Sequence, residues 1–136
     1  HSFVQNLDEL VPLYQALDIY LITSREEGGP LGLIESMSCG IPVVTTRVGM
    51  SEDVINKNMP GEISDTFDPK ELALKTEKAI DYFSKDQTES QQIIRKNIIK
   101  FDWKEIAHKH WEKVYEKKCI KKGLTLKNLL SDVGVK

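Results

Sequence analysis

Cysteine is scarce in this chain: Cys39 and Cys119 are the two present, far apart and without C-x-x-C spacing. That excludes a disulfide framework and a zinc ligand set, and a reducing, cytoplasmic setting is the expectation. No window approaches the roughly 18 apolar residues of a membrane span. The chain opens His1, Ser2, Phe3, with no initiating methionine and no charged leader before an apolar run. We therefore read no secretory signal and expect a piece of something longer. Internal repeats and low-complexity tracts are missing, and so is the mixture of arginine clusters and aromatics that nucleic acid binding uses.

What is there suits a globular domain: 40% hydrophobic and 29% charged residues in 136. The net charge of -2 conceals an asymmetry. Residues 1–94 carry 7 Lys/Arg against 16 Asp/Glu, whereas 95–136 carry 12 against 5. The lysines of the basic end lie at helical spacing among acids, which reads as a solvated helix face; peripheral contact with an anionic membrane is the alternative.

Short apolar runs alternate with helical periodicity. Phe3 and Val4 read as the tail of a strand. Residues 8–17 place Leu10, Val11, Leu13, Tyr14 and Leu17 near helical spacing. The runs 19–23 and 42–46 have the length and β-branching of parallel strands buried on both faces, and 62–64 forms a minor strand. Between the first two, residues 31–40 form a short helix with Gly40 as its C-terminal cap and Pro42 just beyond. Ser51 is expected to cap a short helix through Ile55. Asp68 caps a longer one with Pro69 at its first position, burying Leu72, Leu74, Thr76, Ala79, Ile80 and Phe83. A helix over 89–99 follows, then one from Trp103 with a stripe of Trp103, Ile106, Ala107, His110, Trp111, Val114, Tyr115 and Cys119. Strands alternating with helices through short loops predict an α/β, doubly wound parallel sheet with a helical C-terminal end.

In such sheets ligands bind beyond the carboxyl ends of the strands, which is where Ser24 to Leu33 falls. The first amides of the following helix, at Leu31, Gly32 and Leu33, have no partner inside the helix and suit phosphate oxygens. Gly28, Gly29 and Gly32 let backbone approach a ligand and take positive φ where the turn demands it. Their spacing matches neither the Walker A nor the G-x-G-x-x-G pattern. Glu35, one turn into the helix, is suited to accept from both hydroxyls of a ribose, and Glu27 stands before the helix near whatever extends beyond the phosphates. The layout fits a nucleoside diphosphate joined to a hydroxyl-rich group.

The E-x7-E spacing from Glu27 to Glu35, inside SREEGGPLGLIESMSCGIPVVTTRVGMSEDV, resembles the donor-site signature of family 4 retaining glycosyltransferases of the two-Rossmann GT-B fold. FVQNLDELVPLYQALDIYLITS before it and FDWKEIAHKHWEKVY after it are similar to the flanking segments of that family. The resemblance implies the carboxyl-terminal half of a GT-B fold. Residues 1–122 would be a Rossmann-like nucleotide-sugar-binding domain lacking its N-terminal part, and 123–136 a tail. It implies Glu27 as the catalytic carboxylate beside the transferred sugar, in an electrostatic and positioning role, and Gly28, Gly29, Leu31, Gly32 and Leu33 as backbone contacts to sugar and phosphate. Glu35 would hold the ribose and Gln5 the base through its backbone. No metal or cofactor is implied; the donor is a substrate. Pro30 stands where many relatives turn an amide to the donor sugar, and proline has none. The Arg and Lys that the family sets against the leaving diphosphate, and its acceptor-binding domain, are not among these residues.

The implied partners are a nucleotide-sugar donor and an N-terminal acceptor domain, with no nucleic acid. The isolated chain is expected to be inactive and, through the aromatic stripe of its last helix, to self-associate. Two other functions fit parts of the pattern: a non-catalytic Rossmann-like binding module, and a glycosidase using both acids. The second needs carboxyls opposed across a sugar at roughly 5 to 9.5 Å. His108 and His110 are two apart on a helix and cannot share a metal; Cys39 reads as a small buried filler. Arg25, Glu26 and Arg47 read as loop charges, and Glu52 and Asp53 as acids at a helix start.

Overall fold

The computed structural model describes residue 4 and residues 6–115. Phe3, Gln5, Cys119 and the expected boundary after residue 122 lie outside them. The chain divides into two units, His1–Ile99 and Lys100–Lys136.

The first unit is built on three parallel strands, β1 (Tyr20–Ile22), β2 (Val43–Thr46) and β3 (Gly61–Ser64), in the order β1-β2-β3. Tyr20 pairs with Val43, and Val43 with Gly61, so the carboxyl ends of all three point the same way. Every residue of β2 is buried, as a central strand of β-branched residues should be. β1 corrects the expectation of burial on both faces: among the described residues it is an edge, and Leu21 is 49% exposed. Val4 belongs to no strand.

Helix α1 (Leu7–Gln15) starts where the Asn6 side chain accepts from the Asp8 N–H at 3.0 Å. Pro12 inside it removes one N–H from the ladder, and the helix stops short of Leu17. Leu10 and Tyr14 are half-buried, while Val11, Leu13 and Leu17 stay exposed.

Helix α2 (Leu31–Ser38) joins β1 to β2 and drives Leu33, Ser36 and Met37 into the core. Full burial of Leu33 and Met37 contributes roughly 1.5–3 kcal/mol each. Gly40 ends the helix at φ +84°. Its N–H donates to the Met37 carbonyl at 2.9 Å and that of Ile41 to the Ser36 carbonyl at 3.0 Å, a Schellman cap of the expected kind.

Helix α3 (Ser51–Val54) begins without a side-chain cap; Ser51, expected to supply one, is buried with its hydroxyl unpartnered among the described residues. Helix α4 (Pro69–Lys85) is capped by Asp68 with Pro69 in its first turn, as the sequence predicts. Ala79 and Phe83 reach the core, but Leu74 and Ile80 do not. Helix α5 (Gln87–Ile98) starts earlier than expected because the Asp86 carboxylate accepts from the Glu89 N–H at 2.9 Å. It packs on α2, and the Arg95 guanidinium donates to the Cys39 carbonyl at 2.8 Å, placing a cation at the C-terminus of α2.

The second unit holds helix α6 (Trp103–His110), capped by Asp102, and a wider π-type turn over Trp111–Tyr115. The expected apolar stripe is present as a periodicity and not as a core: no described residue of it is buried, and Trp103 is 78% exposed. Trp111 stacks on Tyr115 with ring centroids 6.4 Å apart, and His108 faces Glu112 at 3.4 Å. Among the described residues, no helix is long and apolar enough to cross a membrane.

Candidate functional site

Three loops leave the carboxyl ends of the strands and are tied to one another. The Thr46 hydroxyl, at the end of β2, donates to the Ser24 carbonyl beyond β1. Gly49, at φ +51°, turns the post-β2 loop so tightly against the post-β1 loop that a β-carbon there would lie 3.0 Å from Pro30 Cδ and 3.1 Å from the Glu27 carbonyl oxygen. The Arg25 guanidinium lies 5.6 Å from the Phe67 ring centroid beyond β3.

A cavity of about 370 Å³ opens beside β1 and the start of α2, with Tyr20, Ser24, Glu27, Pro30, Leu31 and Gly32 in its lining. The Ser24 hydroxyl donates to Glu27 Oε1 at 2.7 Å, fixing one carboxylate oxygen. The N-terminus of α2 also lines the cavity, and Pro30 offers it no side-chain cap. The amides of Leu31 and Gly32 find no acceptor among the described residues, as expected of first-turn positions. Leu33 differs: its N–H is turned back to the Pro30 carbonyl at 3.0 Å, and its side chain is fully buried.

The glycines divide by cause. Neither Gly28, Gly29 nor Gly32 takes a positive φ; Gly40 and Gly49 do. The expectation of left-handed backbone in this bend is therefore corrected. At Gly32 a β-carbon would lie 2.5 Å from the tyrosine oxygen of Tyr20, so any larger residue there must displace that side chain. Gly28 has nothing within 4 Å of where its β-carbon would stand, and at Gly29 the nearest atom is the Met50 sulfur at 3.8 Å. The chain's own packing gives no reason for glycine at those two positions.

Glu35 is not in the lining of that cavity. Its Oε2 accepts from the Tyr14 hydroxyl of α1 at 2.9 Å, both residues being half-buried. Burial first, and then the Glu35 carboxylate, push the Tyr14 hydroxyl pKa above its ordinary range. Tyr14 in turn meets Tyr20 edge-on, centroids 5.6 Å apart at 68°. Gln5 lies outside the described residues.

Ser24, Tyr14 and Tyr20 were not among the candidates from sequence. The signal for Ser24 was its place at the end of a strand, three residues before an acid. Tyr14 and Tyr20 read only as apolar periodicity, and nothing local linked them to the glutamate or to Gly32.

Other polar groups are occupied. Arg47 pairs with Glu52 and Asp65, so this cation is engaged within the protein. A larger groove of about 550 Å³ borders β3. There Glu62 pairs with Lys75 at 3.1 Å and with Lys78. Burial raises the Glu62 pKa, but the two lysines outweigh it and hold the carboxyl below its usual range. Cys39 is buried; burial, with a smaller push from Glu35, raises its thiol pKa against the pull of Arg95, as suits a packing residue and not a nucleophile.

Comparison with known proteins identifies the family. The family model "Glycosyl transferases group 1" matches residues 1–101. A D-inositol 3-phosphate glycosyltransferase of Corynebacterium jeikeium is 36% identical over 66 residues, 48% of this chain and 16% of the relative. A sulfoquinovosyl transferase of Arabidopsis thaliana is 30% identical over 106 residues, 71% of this chain and 19% of that protein. An N-acetyl-alpha-D-glucosaminyl L-malate synthase of Bacillus anthracis is 36% identical over 67 residues, 47% of this chain and 18% of the relative. The chain thus spans less than a fifth of the length of these relatives. With a Rossmann-like parallel sheet matched across all three strands, the chain belongs to the group 1 glycosyl transferases.

Proposed function

We propose that this chain is the donor-binding part of a retaining glycosyltransferase, holding a nucleoside-diphosphate sugar beyond the carboxyl ends of β1 and β2. The observation that carries the reading is the cavity that Glu27, Leu31 and Gly32 line together, next in sequence to two glycines that internal packing does not require. Bare backbone at Gly28 and Gly29 gives a ligand close access. The helix start favours diphosphate oxygens, its dipole adding about 0.3 to 2 kcal/mol.

In this reading Glu35 Oε1 accepts from the ribose, and the Glu27 oxygen not held by Ser24 faces the transferred sugar. Glu27 acts electrostatically and by positioning, stabilising positive charge that develops on the sugar as the bond to phosphate breaks. Gln5 contacts the base. The departing diphosphate gains negative charge that the helix start offsets only in part, and Arg47 is already paired. Cations from outside the chain complete the site, so the isolated chain binds donor weakly and transfers nothing. No metal is required.

Calorimetric titration with UDP, GDP and ADP, then with their sugar conjugates, tests this. One nucleoside diphosphate binds in preference, and Gly28→Val and Glu35→Ala each weaken it, Gly28→Val without lowering the melting temperature. Binding of none of the three, or binding indifferent to both substitutions, overturns the proposal.

A further inference from the structure

The contact between α1 and α2 at Tyr14 and Glu35 has more content than packing. Glu35 belongs to the half-buried rim of α2 and has three side-chain torsions, so a carboxylate there would ordinarily lose considerable freedom when a ligand fixes it. In this structure one oxygen is already fixed. The Tyr14 hydroxyl donates to Oε2 at 2.9 Å, whereas Oε1 has no hydrogen-bond partner among the described residues. Tyr14 is itself held, by its edge contact with Tyr20 on β1. Tyr20 also lines the cavity and closes on Gly32, so α1, β1 and α2 share one aromatic brace, of which Tyr20 and Gly32 belong to the cavity.

We infer that Tyr14 is a positioning residue for donor recognition: it orients Glu35 so that Oε1 stands free for the ribose hydroxyls. The inference rests on the ribose reading of Glu35 given above. A hydroxyl donated to a carboxylate preorganises the acceptor before the ligand arrives, and preorganisation shows as affinity for the groups that the acceptor reads. A tyrosine that merely joined α1 to α2 would affect every ligand alike.

The test compares ligands that differ by one hydroxyl. UDP, GDP and ADP, with their 2′-deoxy counterparts, are titrated into the chain and into Tyr14→Phe, Glu35→Ala and the double variant. Tyr14→Phe keeps the ring and its contact with Tyr20, and unfolding by circular dichroism verifies the fold. The expected result is that Tyr14→Phe lowers the preference for ribose over deoxyribose about tenfold, as befits a lost hydrogen bond to a charged group. Affinity for the deoxy ligand stays the same, Glu35→Ala removes the preference, and adding Tyr14→Phe to it changes nothing more. Loss of affinity for both ligands by the same factor in Tyr14→Phe, or an unchanged preference, overturns the positioning role while leaving the ribose reading of Glu35 intact. A preference that survives Glu35→Ala overturns that reading and this inference together.

Discussion

A β-carbon at position 32 would stand 2.5 Å from the Tyr20 hydroxyl oxygen and 3.0 Å from two of its ring carbons. The glycine in the first turn of α2 and the tyrosine on β1 are therefore one fitted pair, and both line the candidate site. Gly32→Ala must push the ring aside, at a cost of about 1–3 kcal/mol for overpacking. The ring lines the cavity and meets Tyr14 edge-on, so its displacement disturbs both. We expect Gly32→Ala to weaken nucleoside diphosphate binding and lower the melting temperature together. Tyr20→Phe, which removes the closest atom, should restore part of both. A double-mutant cycle measures the coupling, and strict additivity would disprove the fit.

The Ser24 hydroxyl holds Glu27 Oε1 at 2.7 Å, and Ser24 is itself tied to β2 through Thr46. Removing the hydroxyl frees an exposed carboxylate without opening a core. Ser24→Ala should leave stability within about 0.5 kcal/mol. It should reduce affinity for the sugar-bearing donor roughly fivefold, the equivalent of about 1 kcal/mol, while affinity for the bare nucleoside diphosphate holds. Calorimetry with both ligands checks this, and an equal loss for the two would place Glu27 elsewhere than beside the sugar.

The β1-α2-β2 unit was legible because its punctuation is local. Gly40 and Pro42 stop the helix, and two apolar runs of strand length flank it. The caps of α4 were legible for the same reason, Asp68 and Pro69 being adjacent. The exposure of Leu21 was not, since whether a strand is an edge depends on neighbours that its own residues do not encode. The stripe from Trp103 shows the same limit: periodicity marks a face but not what covers it. In the candidate site, Glu27 could be singled out through the resemblance of its surroundings to a known family, and Gly32 from the helix start. The bond from Tyr14 to Glu35 spans 21 positions and joins two helices, so only the folded chain brings it to view.

Acid should reveal a second device, at the loop between β3 and α4. The Thr66 hydroxyl, and the N–H groups of Asp65 at 3.0 Å and Thr66 at 3.1 Å, donate to the Glu71 carboxylate and hold its pKa down to about 2. In the unfolded chain a glutamate titrates near 4.3, about two units higher. The unfolded state therefore takes up the proton first as pH falls. The stability from this group is complete above about 4.3 and is lost as pH drops toward about 2. Thermal melts at a series of pH values should show a shallower acid slope for Glu71→Gln than for the parent. Parallel curves would show that the loop does not depend on the charged form.

The C-terminus of α2 allows a sharper test, because two effects meet at Gly40. Its φ of +84° is costly for any residue with a β-carbon, about 1–2 kcal/mol. That β-carbon would also lie 3.1 Å from the Arg95 guanidinium, which donates to the Cys39 carbonyl. Gly40→Ala should therefore incur the backbone cost and also displace the arginine. Arg95→Met alone loses one hydrogen bond from a charged but exposed donor, about 1 kcal/mol. If both terms act, Gly40→Ala made in the Arg95→Met background costs less than in the parent, since the arginine is no longer there to be moved. Urea midpoints for the four proteins measure the difference. Equal costs in the two backgrounds would show that the guanidinium yields freely, and that the backbone alone makes glycine necessary at the end of this helix.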